Sequence, residues 1–178
     1  RSRALIEHQA LSLNNTVDSV ISGYIIALQN LARQPDIISM EPARQKPLLD
    51  SMAVSYPAMY LISTTDLTGM NISRSDSQQL TDYSDRLWFQ EAVEGVGYSV
   101  QTLIGRSTGQ PALVVATPIV DSTGQIIGVC MFASLLTEIS GQVLTVEIGK
   151  TGYAYVVDDL DQLIAHPNLI PGSTELVN

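Results

Sequence analysis

Pro111-Ala112-Leu113-Val114-Val115-Ala116-Thr117-Pro118-Ile119-Val120 and Gln125-Ile126-Ile127-Gly128-Val129-Cys130-Met131-Phe132-Ala133, joined by Asp121-Ser122-Thr123-Gly124, read as two strands meeting at a tight turn, and so as an antiparallel pair. The same D-x-T-G turn stands earlier, at Asp66-Leu67-Thr68-Gly69. It separates Met59-Tyr60-Leu61-Ile62-Ser63-Thr64 from Met70-Asn71-Ile72-Ser73-Arg74, which makes a β-hairpin. Tyr98 to Ile104 supplies a fifth strand. With helical stretches before and between them, the order helix, helix, hairpin, helix, three strands describes an α+β module built on a five-stranded antiparallel sheet.

Outward from that sheet the period changes. From Ala4 to Arg33 the residues Ile6, Ala10, Leu13, Val17, Val20, Tyr24, Ala27 and Leu31 recur in alternating steps of four and three, a heptad-like seam on one long helix. At 1.5 Å per residue it would run on the order of 45 Å, more than a small domain needs for its own core. Ile21, Ile25 and Leu28 widen the stripe, so one part of the helix is expected to pack on a domain and another to face a partner, as a stalk or dimerisation helix. Pro35 ends it, and Pro42 to Val54 forms a second helix with Leu48, Leu49 and Met52 turned to the core. Thr81 to Gly95 reads as a third, with Ser84 as N-cap and Leu87, Trp88, Ala92 and Val93 apolar. After a short helix at Ser134 to Gln142 come Leu144 to Ile148, the turn Gly149-Lys150-Thr151-Gly152, Tyr153 to Val157, and Gln162 to His166. These short strands begin a second sheet that the sequence does not finish.

Composition narrows the class. Hydrophobic residues make up 45% of the 178 and charged ones 15%, enough apolar area to support a core and too little charge for general disorder. Nine basic against 18 acidic residues give a net charge of -9, a field that repels phosphate backbones and anionic lipid surfaces, so nucleic acid is not an expected partner. The lone cysteine, Cys130, excludes an internal disulfide and lies in the apolar run Ile126 to Leu136, where a buried, inert thiol is expected. That run falls short of the roughly 20 residues that cross a bilayer. The sequence opens with Arg1, Ser2 and Arg3 on a helix already under way, as expected of a segment cut from a longer chain whose membrane helices lie elsewhere.

Several motifs fail on inspection. Gly149-Lys150-Thr151 resembles the end of a phosphate loop, but that loop needs glycine at the position of Leu144 and a helix where Tyr153-Ala154-Tyr155-Val156 stands. The D-x-T-G turns carry a residue between Asp and Thr that an aspartic protease does not have. His8 and His166 lie far apart with no cysteine, histidine or carboxylate at ligand spacing, and neither completes a Ser-His-Asp or Cys-His set. Asn14-Asn15-Thr16 and Asn71-Ile72-Ser73 match a glycosylation pattern that says nothing of function. No catalytic residue, metal or cofactor is expected.

One constellation remains. Asp85-Arg86-Leu87-Trp88-Phe89 sets Arg86 and Phe89 about a helical turn apart with Trp88 between them. A guanidinium beside aromatic surface can grip a ligand carboxylate while the rings cover its apolar part; equally, the pattern fits a surface arginine beside a core tryptophan.

A family resemblance bears on that choice. Asp85-Arg86-Leu87-Trp88-Phe89-Gln90-Glu91-Ala92, then Ser107-Thr108-Gly109-Gln110-Pro111, Ala116-Thr117-Pro118-Ile119 and Gly124-Gln125-Ile126-Ile127-Gly128-Val129 resemble the membrane-distal module of double Cache domains, which are tandem PAS-like sensors. Gly149-Lys150-Thr151-Gly152-Tyr153-Ala154-Tyr155 and Ala165-His166-Pro167 resemble the opening of the membrane-proximal module. The resemblance implies a stalk or dimerisation helix over 1–35, a distal PAS-like ligand-binding module over 36–142, and the incomplete start of a proximal PAS-like module over 143–178. It further implies an extracytoplasmic sensor domain, not itself an enzyme, of a histidine kinase, chemoreceptor or cyclic-dinucleotide enzyme. Such a receptor would be held in the plasma membrane by helices outside this sequence and paired as a homodimer through the long helix.

Carried over by position, Arg86, Trp88 and Phe89 match the ligand-gripping helix, Tyr60, Ser73 and Arg74 fall on strands that line the pocket, and Arg106 and Thr117 complete the candidate set. Amino-acid-binding members carry acidic residues near the Thr-Gly turn and after the Gly-Val strand. Here those neighbourhoods read Leu103-Ile104-Gly105-Arg106 and Val129-Cys130-Met131-Phe132-Ala133-Ser134, so a small carboxylate is the expected ligand class. A ligand-free dimerisation module and a hydrolase with dispersed residues are the rival readings.

Overall fold

The computed structural model describes residues 19–143, 156–157 and 163–165. Its elements run α1 (residues 19–32), α2 (Pro35–Ile38), α3 (Pro42–Ser55), β1 (Met59–Thr65), β2 (Asn71–Arg74), α4 (Leu87–Val93), β3 (Ser99–Ile104), β4 (Pro111–Val120), β5 (Ile126–Leu135), α5 (Leu136–Val143), β6 (Val156–Val157) and β7 (Leu163–Ala165). The first five strands form one sheet in the order β2-β1-β5-β4-β3, with β1 antiparallel both to β2, across the first turn, and to β5.

Those turns are built alike. In the first, Asp66 Oδ1 accepts from the backbone N–H of Thr68 at 2.8 Å, the Thr68 hydroxyl at 2.6 Å and the N–H of Met70 at 3.2 Å. In the second, Asp121 Oδ1 accepts from the N–H of Thr123 at 2.8 Å, its hydroxyl at 2.7 Å and the N–H of Gln125 at 3.0 Å. The Thr123 hydroxyl, together with the backbone donors, holds the Asp121 carboxyl below its ordinary range. Gly69 closes the first turn at φ +94°, and a Cβ there would lie 2.6 Å from the Ser84 nitrogen, so glycine is required twice over.

One face of the sheet is covered by helix. Fully buried Gln45 of α3 accepts a hydrogen bond from the Thr64 hydroxyl on β1 and donates to the Ile37 carbonyl of α2 at 2.8 Å, tying helices to sheet. Ile37, Leu49 and Met52 are buried, and Leu48 is half-buried. On α1 the seam residues Tyr24 and Leu31 are buried with Leu28, whereas Ile26 is 57% exposed. The seam before residue 19 lies outside the described residues. Gly128 on β5 makes room for this layer, because a Cβ there would lie 2.3 Å from the Thr65 carbonyl oxygen and 2.4 Å from the Met40 methyl.

The third predicted helix begins later than its sequence pattern suggests. Ser84 does not cap it; Arg86 takes the N-cap place, with extended backbone, and the helix runs only from Leu87 to Val93. The reason is tertiary. Residues 81–83 are drawn alongside the first hairpin: Met70 bridges to Asp82, the Asn71 N–H donates to the Thr81 carbonyl at 3.1 Å, and the Tyr83 N–H donates to the Gly69 carbonyl at 2.8 Å. Backbone groups spent on the hairpin cannot join a helical ladder.

Two compact units divide the chain. One gathers Ile25–Gln101 and Leu113–Ser134, and the other includes Thr102–Ala112 and the residues from Leu135 onward, where β6 and β7 pair antiparallel. The strand and turn expected over 144–152 lie outside the described residues. Among the described residues no helix is long and apolar enough to cross a membrane, and no group of acidic, histidine and cysteine side chains is placed to hold a metal ion.

Candidate ligand site

Neighbouring residues of a strand point to opposite faces of the sheet, and directly paired residues of adjacent strands share a face. Thr64 pairs with Ser73 and Ser63 with Arg74, so Ser73 lies on the helix-covered face with Thr64, and Arg74 lies on the other face with Ser63. The structure therefore does not bring Ser73 to Arg74's side of the sheet. On Arg74's side, Leu61 faces Ala133, Ser63 faces Met131 and Thr65 faces Val129 across the β1–β5 pair. All six are buried and none is charged.

Arg74 is the centre of a closed polar network. Its side chain is 2% exposed and its Nε and Nη2 donate to the two carboxylate oxygens of Asp76 at 2.8 and 2.9 Å, a bidentate pair. Nη1 donates to Asn71 Oδ1 at 3.0 Å and to the Tyr83 hydroxyl at 3.0 Å. Asn71 in turn donates to the Ser63 hydroxyl at 3.3 Å and accepts from the Thr81 N–H at 3.1 Å. Burial alone would raise the Asp76 carboxyl, but the hydrogen bonds and charge of Arg74 outweigh it and hold that carboxyl below its usual range.

An aromatic ladder leads from this network into α4. The Tyr83 and Trp88 rings lie 5.3 Å apart at 51°, and Trp88 meets Phe89 edge-on at 6.3 Å and 88°. Trp88 and Phe89 are buried, and Arg86, at the N-cap of α4, is half-buried. The Arg86 backbone is engaged: its N–H donates to the Tyr83 carbonyl at 2.9 Å, and its carbonyl accepts from the N–H groups of Phe89 and Gln90, each at 3.1 Å. Among the described residues its guanidinium makes no hydrogen bond or ion pair.

The remaining candidates fall elsewhere. Tyr60 is half-buried at the register shift between β1 and β5, where β1 carries one residue more than its partner. The buried Thr117 hydroxyl donates to the Gly97 carbonyl at 2.8 Å and so anchors the segment between α4 and β3. Arg106 is exposed in the turn closed by the Gly105 N–H donating to the Gln110 carbonyl at 2.8 Å, in the other compact unit. Sequence reading missed Asp76, Asn71 and Tyr83. The one available signal was the acid two residues after Arg74.

Known proteins resemble this arrangement over nearly its whole length. A family model described as the Cache domain matches residues 2–176. A relative named "Probable methyl-accepting chemotaxis protein" from Bacillus thuringiensis subsp. konkukian is 30% identical over 121 residues, 66% of this chain and 18% of its own. The chain spans about a fifth of the length of the curated relatives it matches. Among solved structures, the chain is similar to the ligand-binding domain of the Pseudomonas fluorescens chemoreceptor CtaA in complex with L-serine, with a TM-score of 0.77 and 23% identity over 94% of this chain and 72% of that one. It is also similar to the sensor domain of the V. cholerae histidine kinase DctB, with a TM-score of 0.75 and 16% identity over 92% of this chain and 67% of that one. At these identities the likeness to the two structures is one of fold.

Proposed function

The chain belongs to the Cache domain family, and on that premise we propose that it is the extracytoplasmic small-molecule sensor of a membrane-anchored receptor whose ligand is gripped by Arg86. The observation that carries this reading is the state of Arg86 itself: a half-buried residue whose guanidinium has no protein partner among the described residues, at the N-cap of the helix that carries the Trp88–Phe89 pair. A guanidinium with no partner of its own is open to a bidentate grip on an anionic ligand. Arg74 does not compete for that role, because Asp76 already neutralises it.

Binding signals only if it favours one of two arrangements of the protein over the other. The ligand joins Arg86 on the α4 segment to the sheet, and the change passes through the opening helix to the membrane helices and, through a homodimer, to the output domain. Tyr24 and Leu31 of the seam are already buried within the chain, so a partner meeting the described part of that helix would contact exposed positions such as Ile26. A histidine kinase is the first reading of the output. A chemoreceptor is the second, favoured by the name of the relative at 30% identity.

A thermal-shift screen of the 178-residue chain against small carboxylates, amino acids, amines and sugars tests the proposal. A ligand present at a hundred times its Kd should raise Tm by about 5 to 10 °C, and Arg86→Ala should abolish the rise. A ligand whose shift survives Arg86→Ala removes Arg86 from the site. A chain that no compound stabilises supports a ligand-free dimerisation module instead.

A further inference from the structure

We propose that the outer edge of β3 pairs with the same strand of a second copy of this chain, antiparallel and about a two-fold axis at Val100. The contact is separate from the opening helix and from Arg86, so it does not rest on the ligand reading. The two edges of the five-stranded sheet differ. At one edge β2 is screened by the chain itself, since Met70 bridges to Asp82 and the Asn71 N–H donates to the Thr81 carbonyl. At the other edge, among the described residues, no strand lies beyond β3. An open edge is a template for pairing with another chain, and proteins that avoid such pairing commonly set charged side chains or proline there.

From Gly95 to Gly105 this chain has neither a charged residue nor a proline. Exposure alternates along the strand. Ser99 is buried and Gln101 and Leu103 are half-buried, whereas Tyr98, Val100 and Ile104 are 49%, 38% and 51% exposed, an apolar stripe that includes half-buried Thr102. Charge names the occupant. The chain carries 18 acidic residues, and two copies repel wherever those meet. Between Glu94 and Asp121 there is no acid, so β3 and β4 offer a second copy a surface free of like negative charge. Exposed Glu94 precedes the strand and exposed Arg106 follows it. Antiparallel pairing about Val100 sets Val100 on its own counterpart and Tyr98 on Thr102 of the other copy, and it brings each copy's Glu94 to the end where the other's Arg106 stands. Parallel pairing would set like charge on like. The two-fold contact is therefore self-complementary in both shape and sign. A single strand pair buries less than a standard interface, so the contact belongs to the weak class and is strengthened where copies are held at high local concentration.

Cysteine cross-linking and sedimentation of the 178-residue chain test the pairing. Native Cys130 stays out of the chemistry, because it is buried and its thiol is pushed up to about 12. Val100→Cys, on the axis, faces its own counterpart, while Ile104→Cys lies on the same exposed stripe but far from its counterpart. Under mild oxidation Val100→Cys should form covalent dimers about tenfold faster than Ile104→Cys, since a disulfide needs its two Cα atoms close together. In sedimentation, Val100→Lys should weaken the self-association of the native chain about tenfold by setting charge on the edge. Equal cross-linking rates for the two cysteines, or self-association that Val100→Lys leaves untouched, overturn the pairing. So does a native chain that stays monomeric at every concentration. Cross-linking through Ile26→Cys in place of Val100→Cys gives the contact to the opening helix, which overturns pairing at β3 and leaves the sensor reading as it stands.

Discussion

Arg74 and Arg86 lie on either side of one short segment, with Tyr83 bonded to Arg74 and packed on Trp88 of α4, yet they are in opposite chemical states. Arg74 is buried with its donors matched to Asp76, Asn71 and Tyr83, whereas Arg86 is half-buried with its guanidinium unmatched among the described residues. A charge sealed in a protein is tolerated when its partners are built in, and such a group belongs to the fold. A guanidinium with no built-in partner keeps its donors open to an anionic ligand. The same residue type, twelve positions apart in the sequence, therefore serves structure in one place and, on the proposed function, recognition in the other.

The sharpest separation comes from removing each arginine in turn. Arg74→Ala strands Asp76, whose side chain is only 21% exposed, and takes one donor each from Asn71 and Tyr83. The expected loss is about 3 kcal/mol of stability in urea unfolding, or roughly 6 to 12 °C in Tm. Arg86→Ala should change the stability of the free chain by no more than about 0.5 kcal/mol while weakening ligand binding about 10- to 100-fold. The two variants thus exchange roles between the two assays. Equal losses of stability would mean that Arg86 is a structural residue, and the distinction between the arginines would fall.

Protonation gives a gentler version of the first experiment. The folded-state pKa of Asp76 is depressed, so its contribution to stability is fully present above the unfolded value near 3.9 and is lost as pH falls through that value towards the lower folded one. Urea unfolding of the native chain should therefore show stability dropping as pH is lowered from about 5 to 3. Asp76→Asn should be less stable at pH 7 and show a shallower drop. Parallel profiles for the two proteins would show that Asp76 is not the group being titrated. Cys130, buried and pushed up to about 12, stays a neutral thiol throughout this range.

Much of this contrast could not be read along the chain. The strands were legible because alternation and the two D-x-T-G turns are local signals, and the turns form through hydrogen bonds within four residues of each aspartate. Arg86, Trp88 and Phe89 stood out because an arginine among aromatics is a local pattern too. The start of α4 was misread because Thr81 and Tyr83 are held by Asn71 and Gly69, a pairing that helical spacing cannot reveal. Ser73 and Arg74 looked equivalent on one strand, and only the register with β1 assigns them to opposite faces. Gln45, a polar residue on a helix, gave no hint of sealing the helix layer to Thr64.

The smallest effect asks whether the two regions are independent. Tyr83 touches both: its hydroxyl accepts from Arg74 and its ring packs on Trp88, one residue of the turn that Arg86 begins. Tyr83→Phe keeps the ring and removes the acceptor, so it should cost about 1 kcal/mol of stability, the value of one hydrogen bond with a charged donor left partly served by Asp76 and Asn71. If the Arg74 network does no more than hold the segment in place, the ligand affinity of Tyr83→Phe matches that of the native chain. If the network tunes the site, affinity falls along with stability, and a double-mutant cycle with Arg86→Ala measures the coupling directly. A vanishing coupling energy leaves a rigid frame and a separate grip. A coupling of 0.5 kcal/mol or more makes Tyr83 the link through which ligand at Arg86 is felt by the sheet.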